Sequence, residues 1–123
     1  VFAILERGAG LALTLQALTE FACADPRMET GCLFYKMRAG RHRLGPQTRA
    51  SVEALEAAAR AAYEAFLQSC RDAGELPAGL DVTLGARYLA EQLALAITQR
   101  ASGEDPAAVR ASLALALSVF RHP

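Results

Sequence analysis

Cysteine and histidine are scarce, with three cysteines and two histidines in 123 residues. An odd number of thiols, at spacings between Cys23, Cys32 and Cys70 that match no metal-ligand pattern, argues against both a disulfide scaffold and a zinc site. Free thiols fit a reducing, cytoplasmic setting. His42 falls in a loop and His122 at the chain end. No Ser/His/Asp, Cys/His or paired-carboxylate arrangement emerges, so the residues do not point to an enzyme, a metal or a cofactor. The carboxylates on or near the longest helical pattern (Glu53, Glu56, Glu64, Asp72, Glu75 and Asp81) mostly face water and lack the Glu-x-x-His spacing of a di-iron bundle.

Charge of one sign is also missing. The 13 acidic and 13 basic residues cancel, which argues against a nucleic-acid-binding surface spread over this chain. All the basic residues except Lys36 are arginine and alanine is abundant, a bias that a GC-rich genome imposes and that carries no functional weight. Apolar residues make up 53%, yet no stretch of about 18 residues is free of charge, so no membrane span is expected. The opening segment Val1-Phe2-Ala3-Ile4-Leu5-Glu6-Arg7 has no basic leader, no small-residue cleavage site and no initiator Met. It begins inside an apolar helical pattern and reads as part of a longer protein.

What is present is helical periodicity, enough for one domain with its own core. Residues 1 to 7 read as the end of a helix broken by Gly8 and Gly10. A helix over 11 to 24 puts Leu11, Leu15, Leu18, Phe21 and Ala22 on one stripe, and Asp25-Pro26 ends it. A short, bulky helix over 30 to 39 is expected to be covered by its neighbours, and residues 40 to 47 form a loop. From 47 to 73 the apolar arc is Val52, Leu55, Ala59, Ala62, Tyr63, Phe66, Leu67 and Cys70. A second stripe of Ala54, Ala57, Ala58, Ala61 and Ala65 offers close approach to another helix.

The run from Arg71 to Asp81 stops that helix and starts the next. Gly74 suits a left-handed C′ position, Leu76 a Schellman contact, Pro77 forbids continuation, and Asp81 is an N-cap. The helix over 82 to 101 has a wholly apolar side (Ala86, Leu89, Leu93, Ile97) and a mixed one (Leu84, Tyr88, Gln92, Leu95, Gln99). Asp105 and Pro106 then open a last helix over 107 to 121, apolar over an arc of roughly 200°, about twice what a surface helix needs. Such a helix is expected to meet a second copy, most simply as a two-fold four-helix bundle built from the last two helices. Leu95, Gln99, Val109, Leu113, Ala116, Leu117 and Phe120 are the expected interface residues. The fold class is therefore all-α, an antiparallel bundle of about five to six helices.

A ligand cavity needs apolar and amphipathic residues on inward arcs. Phe21, Phe34, Met37, Tyr63, Phe66, Tyr88 and Gln92 meet that requirement, though the same residues also serve as ordinary core. Tyr63, Tyr88 and Gln92 are the sharper candidates, because a buried hydroxyl or amide needs a hydrogen-bond partner. The basic cluster Lys36, Arg38, Arg41, His42, Arg43 and Arg49 reads as a solvated loop balanced by glutamates. Cys32, with Lys36 one turn on, is the best placed of the thiols for redox chemistry, and Cys70 reads as buried and inert.

The order helix, Asp25-Pro26, Gly31-Cys32-Leu33, long Ala-rich helix, Ala73-Gly74-Glu75-Leu76, Asp81, apolar helix, Gly103-Glu104-Asp105-Pro106, apolar helix resembles the C-terminal regulatory domain of TetR-family transcriptional regulators over residues 11 to 121. The resemblance implies that segments 11 to 24, 30 to 39, 47 to 73 and 82 to 101 surround a small-molecule pocket. It also implies a homodimer through 82 to 101 and 107 to 121, and operator DNA bound by an N-terminal helix-turn-helix domain that this chain does not contain. The run Phe34-Tyr35-Lys36-Met37-Arg38 departs from the small residues and carboxylate common in that family. A helical dimerisation or adaptor module without a small-molecule ligand is the alternative.

Overall fold

The computed structural model describes residues 1 to 121; His122 and Pro123 lie outside the described residues. It is all-helical: α1 (Phe2–Leu5), α2 (Leu11–Ala24), α3 (Leu33–Ala39), α4 (Pro46–Asp72), α5 (Val82–Ala101) and α6 (Pro106–Leu117), with 3₁₀ turns at Pro26–Met28, Arg41–Arg43 and Ser118–Phe120. Helix α5 is the centre, packing against α2, α4 and α6. Its apolar side, Ala86, Leu89, Leu93 and Ile97, is almost wholly out of water. Burying each of the larger three stabilises the fold by about 1.5–3 kcal/mol before entropy is charged. Around them lie Leu11, Leu15, Leu18 and Ala22 of α2, Phe66, Leu67 and Cys70 of α4, and Val109, Leu113 and Leu117 of α6. No described helix is long and apolar enough to cross a membrane.

The turn after α4 has the hydrogen bonds of a Schellman motif: Gly74 N–H donates to the Arg71 carbonyl at 2.9 Å and Glu75 N–H to the Cys70 carbonyl at 2.9 Å. Gly74 sits at φ +74°, where a side chain is strained. The C″ residue is Glu75, one position before the buried Leu76, and its carboxylate reaches back to the start of α2. Both carboxylate oxygens lie 3.3–3.4 Å from the Leu11 N–H. Gly10 has no side chain with which to cap α2, so an anion from 64 residues later in the chain meets the positive helix end. Asp81 caps α5 through the Leu84 N–H at 3.0 Å, whereas Asp105 makes no side-chain cap on α6.

Two further ties close the bundle. Arg100 of α5 donates to the Asp25 carbonyl at 2.8 Å, satisfying the end of α2. Arg110 of α6 pairs with Glu20 of α2. At Gly85 an added Cβ would meet Leu67 Cδ1 at 3.3 Å and Phe120 Cε1 at 3.4 Å, so the missing side chain lets α4 and the chain end close on α5.

Four expectations need correction. Helix α3 begins at Leu33, three residues later than expected, because Gly31 takes φ +96° and Cys32 is extended. Its neighbours do not cover it: no residue of α3 is buried and Leu33 is 71% exposed. The alanine stripe of α4 (Ala54, Ala57, Ala58, Ala61, Ala65) faces water, and the first half of α4 buries only Val52. Finally, α6 stops at Leu117 and tightens to a 3₁₀ turn, which swings Phe120 inward to full burial.

Candidate functional site

No residue of α3 is buried and the first half of α4 buries only Val52, so the side of the bundle between α3, α4 and α5 is not filled. A cavity of about 790 Å³ opens there, within the range of small-molecule sites. Helix α3 presents Phe34, Tyr35 and Arg38, the spacing of one helical face. Helix α4 presents Leu55, Glu56, Ala59, Arg60 and Tyr63, and α5 presents Leu84, Arg87, Ala90 and Glu91. Phe21 of α2, with Phe2, Met28 and Cys32, closes another wall.

Tyr63 marks where the cavity meets the closed core. It is 2% exposed, and its hydroxyl is out of water with no hydrogen-bond partner among the described residues. Burial raises its pKa well above the ordinary phenol value, with the Tyr35 phenol adding to the shift, so the hydroxyl keeps its proton and remains a donor. Tyr35, half-buried, is pushed up to about 12 by its partial burial; its ring lies 5.5 Å from that of Phe34 and 5.3 Å beneath the Arg38 guanidinium.

The polar wall is largely internally paired. Arg38 pairs with Glu91 at 2.9 Å and approaches Glu56 at 4.0 Å. Arg41, beside the cavity, donates to Glu56 at 2.8 Å, and this bond holds the Glu56 carboxyl below its usual value. Much of the basic cluster around α3 is thus tied down: Arg49 donates to the Arg41 and Leu44 carbonyls and Lys36 to the Thr30 carbonyl.

Of the expected cavity residues, Phe21, Phe34 and Tyr63 line the wall. Met37, Phe66, Tyr88 and Gln92 do not. Met37 is half-buried and takes no part in the wall. Phe66 lies one turn beyond Tyr63, inside the closed core. Tyr88 turns toward α6 instead, where its hydroxyl donates to the Ala116 carbonyl at 2.8 Å and its ring lies 6.0 Å from Phe120. Gln92, one turn on from Tyr88, is half-buried on that same side. The sequence reading did not single out Tyr35, hidden in a uniformly bulky helix, or Arg60 and Arg87 as wall residues. The signal for Arg60 was its spacing of three residues from Tyr63, which puts the two on neighbouring positions of one face.

The expected interface residues also divide. Val109, Leu113, Leu117 and Phe120 are buried in the chain's own core and have no surface to offer a second copy. The 200° arc of α6 is real, but about half of it packs on α2 and α5. Leu95, 50% exposed, is left facing outward; Gln99 and Ala116 are half-buried. Leu115, at 76%, and Val119, at 47%, complete the outward apolar face.

Cys70 is buried and its thiol is pushed up to about 11; burial also raises that of Cys23. Among the described residues no cluster of three or more His, Cys, Asp or Glu side chains is arranged to hold a metal ion. No family model, curated protein or solved structure matches the chain.

Proposed function

We propose that this chain is the cytoplasmic effector-sensing and dimerisation domain of a TetR-like transcriptional regulator, whose cavity takes a small apolar or aromatic molecule that modulates operator DNA binding by the intact protein. The observation that carries the reading is the Tyr63 hydroxyl, buried and without a partner at the wall of a 790 Å³ cavity. Buried polar groups are nearly always satisfied, and a ligand acceptor satisfies this one. The order of helices supports the family assignment, and the outward face of Leu95, Leu115 and Val119 supports a homodimer.

The wall of the cavity belongs to α3, α4 and α5, and α5 also packs on α6. A ligand that fits one arrangement of these helices better than another shifts the populations of the dimer. In the intact protein that shift alters the separation of two DNA-binding heads, whose half-site spacing is geometrically fixed. Carrying the equilibrium from 1:99 to 99:1 takes about 5.5 kcal/mol of differential affinity.

Native mass spectrometry of the chain against a library of apolar and aromatic molecules tests both parts. A dimer taking up one compound per subunit, with uptake lost in Tyr63→Ala, is the expected result. A dimer that takes up nothing points to the adaptor module, and a monomer removes the basis of both readings.

A further inference from the structure

The charges lining the cavity balance in number but not in pairing. The wall holds Arg38, Arg60 and Arg87 against Glu56, Asp81 and Glu91. Every carboxylate is already engaged: Glu91 by Arg38, Glu56 by Arg41 from outside the wall, and Asp81 by the Leu84 N–H at the positive end of α5. Two of the three arginines are not. Arg60 comes no closer than 3.9 Å to Glu56, beyond hydrogen-bond distance, and Arg87 has no ion-pair partner among the described residues. Two guanidinium groups therefore border an apolar, aromatic space that also holds a phenol donor lacking an acceptor.

Resting on the ligand-binding reading above, we infer that the ligand is an amphipathic organic anion of the carboxylate class. Its apolar or aromatic body lies against Phe21, Phe34, Tyr35 and Leu84, and its anionic group lies at Arg60 and Arg87. Guanidinium forks match a carboxylate in geometry as well as charge. A cationic ligand is disfavoured by the same two arginines, with every carboxylate in the wall already engaged. A neutral ligand leaves both arginines as they are and gains only the apolar contacts and the Tyr63 hydrogen bond.

The test uses 1-naphthylacetate, 4-phenylbutyrate and decanoate, each beside its neutral primary amide, titrated calorimetrically onto the full chain. At least one carboxylate is expected to bind about tenfold more tightly than its amide, a preference that shrinks as salt is raised. In the Arg60→Gln/Arg87→Gln variant the preference falls below about threefold, and the variant is expected to fold, since both side chains are exposed and surface changes of this kind cost little stability. A cationic probe, 1-naphthylmethylamine, gives a check on the unaltered chain and is expected to bind more weakly than the amide. Amides that match their carboxylates overturn the anion inference and leave the cavity reading standing. Failure of every probe to bind overturns the cavity reading and this inference with it.

Discussion

Replacing Tyr63 by phenylalanine removes one oxygen and keeps the ring that packs between α4 and the core. In the ligand-free chain that oxygen is buried, protonated and without a partner. Leaving such a group unsatisfied costs about 1–3 kcal/mol. Water entering the cavity recovers part of this, so the working value is the low end: Tyr63→Phe is expected to stabilise the free chain by about 1 kcal/mol. In urea, with an m-value of about 1–3 kcal/mol/M, the midpoint rises by roughly 0.3–1 M at unchanged slope. The same variant is expected to bind the ligand about fivefold more weakly, through loss of one hydrogen bond. Opposite signs from one atom are the diagnostic. The chain has no tryptophan, so far-UV circular dichroism follows unfolding, at fixed protein concentration because a dimer's stability depends on it. Destabilisation by more than about 0.5 kcal/mol would mean that the hydroxyl is held inside the chain, and the argument from it would fail.

Three other perturbations probe the fold around the site. Glu75→Ala strips the remote cap from α2 and is expected to cost about 1 kcal/mol in chemical denaturation; no loss would mean the approach to Leu11 is incidental. Leu115→Arg should leave the helical spectrum intact and shift sedimentation to monomer, whereas Leu117→Arg, which buries a charge in the core, should unfold the chain. A dimer that survives Leu115→Arg moves the interface off this face. Acid behaviour follows from Asp25, held at about 2 by hydrogen bonds from Arg27, and from Glu20 and Glu56, lowered by hydrogen bonds from Arg110 and Arg41. The folded state binds fewer protons than the unfolded one at these groups. Their stabilisation is complete above the ordinary values of 3.8 to 4.5 and is lost as pH falls through the lowered ones. Urea midpoints should thus be flat near neutrality and decline below about pH 4.5; a decline beginning near pH 6 would implicate other groups.

Local signals carried their weight wherever one residue's chemistry fixes one backbone state. Gly74, Pro106, Asp81 and the Asp25-Pro26 break place helix ends correctly, because caps and φ restrictions act within a turn. Periodicity likewise identifies the buried side of α5 and most of that of α4, since a 3.6-residue repeat needs no knowledge of the partner. The cavity was legible in part. Phe21, Phe34 and Tyr63 follow from inward arcs, while Tyr88 has the same amphipathic character and turns to α6, satisfied by the Ala116 carbonyl. Sequence gives the side of a helix and not which neighbour stands against it.

The sequence by itself determined an all-helical chain, the order of its helices and the limits of α2, α4 and α5 to within a residue, and which residues are apolar enough to be covered. Only the tertiary structure decided what covers them: that α3 is left open, that a cavity stays unfilled between α3, α4 and α5, and that Val109, Leu113 and Leu117 of α6 are spent within the chain. It also brought Glu75 to Leu11 and left Arg60 and Arg87 without close partners. The physical reason is range. Helix formation, capping and turns are local, whereas occlusion, pairing and unfilled space depend on where elements distant in sequence come to rest.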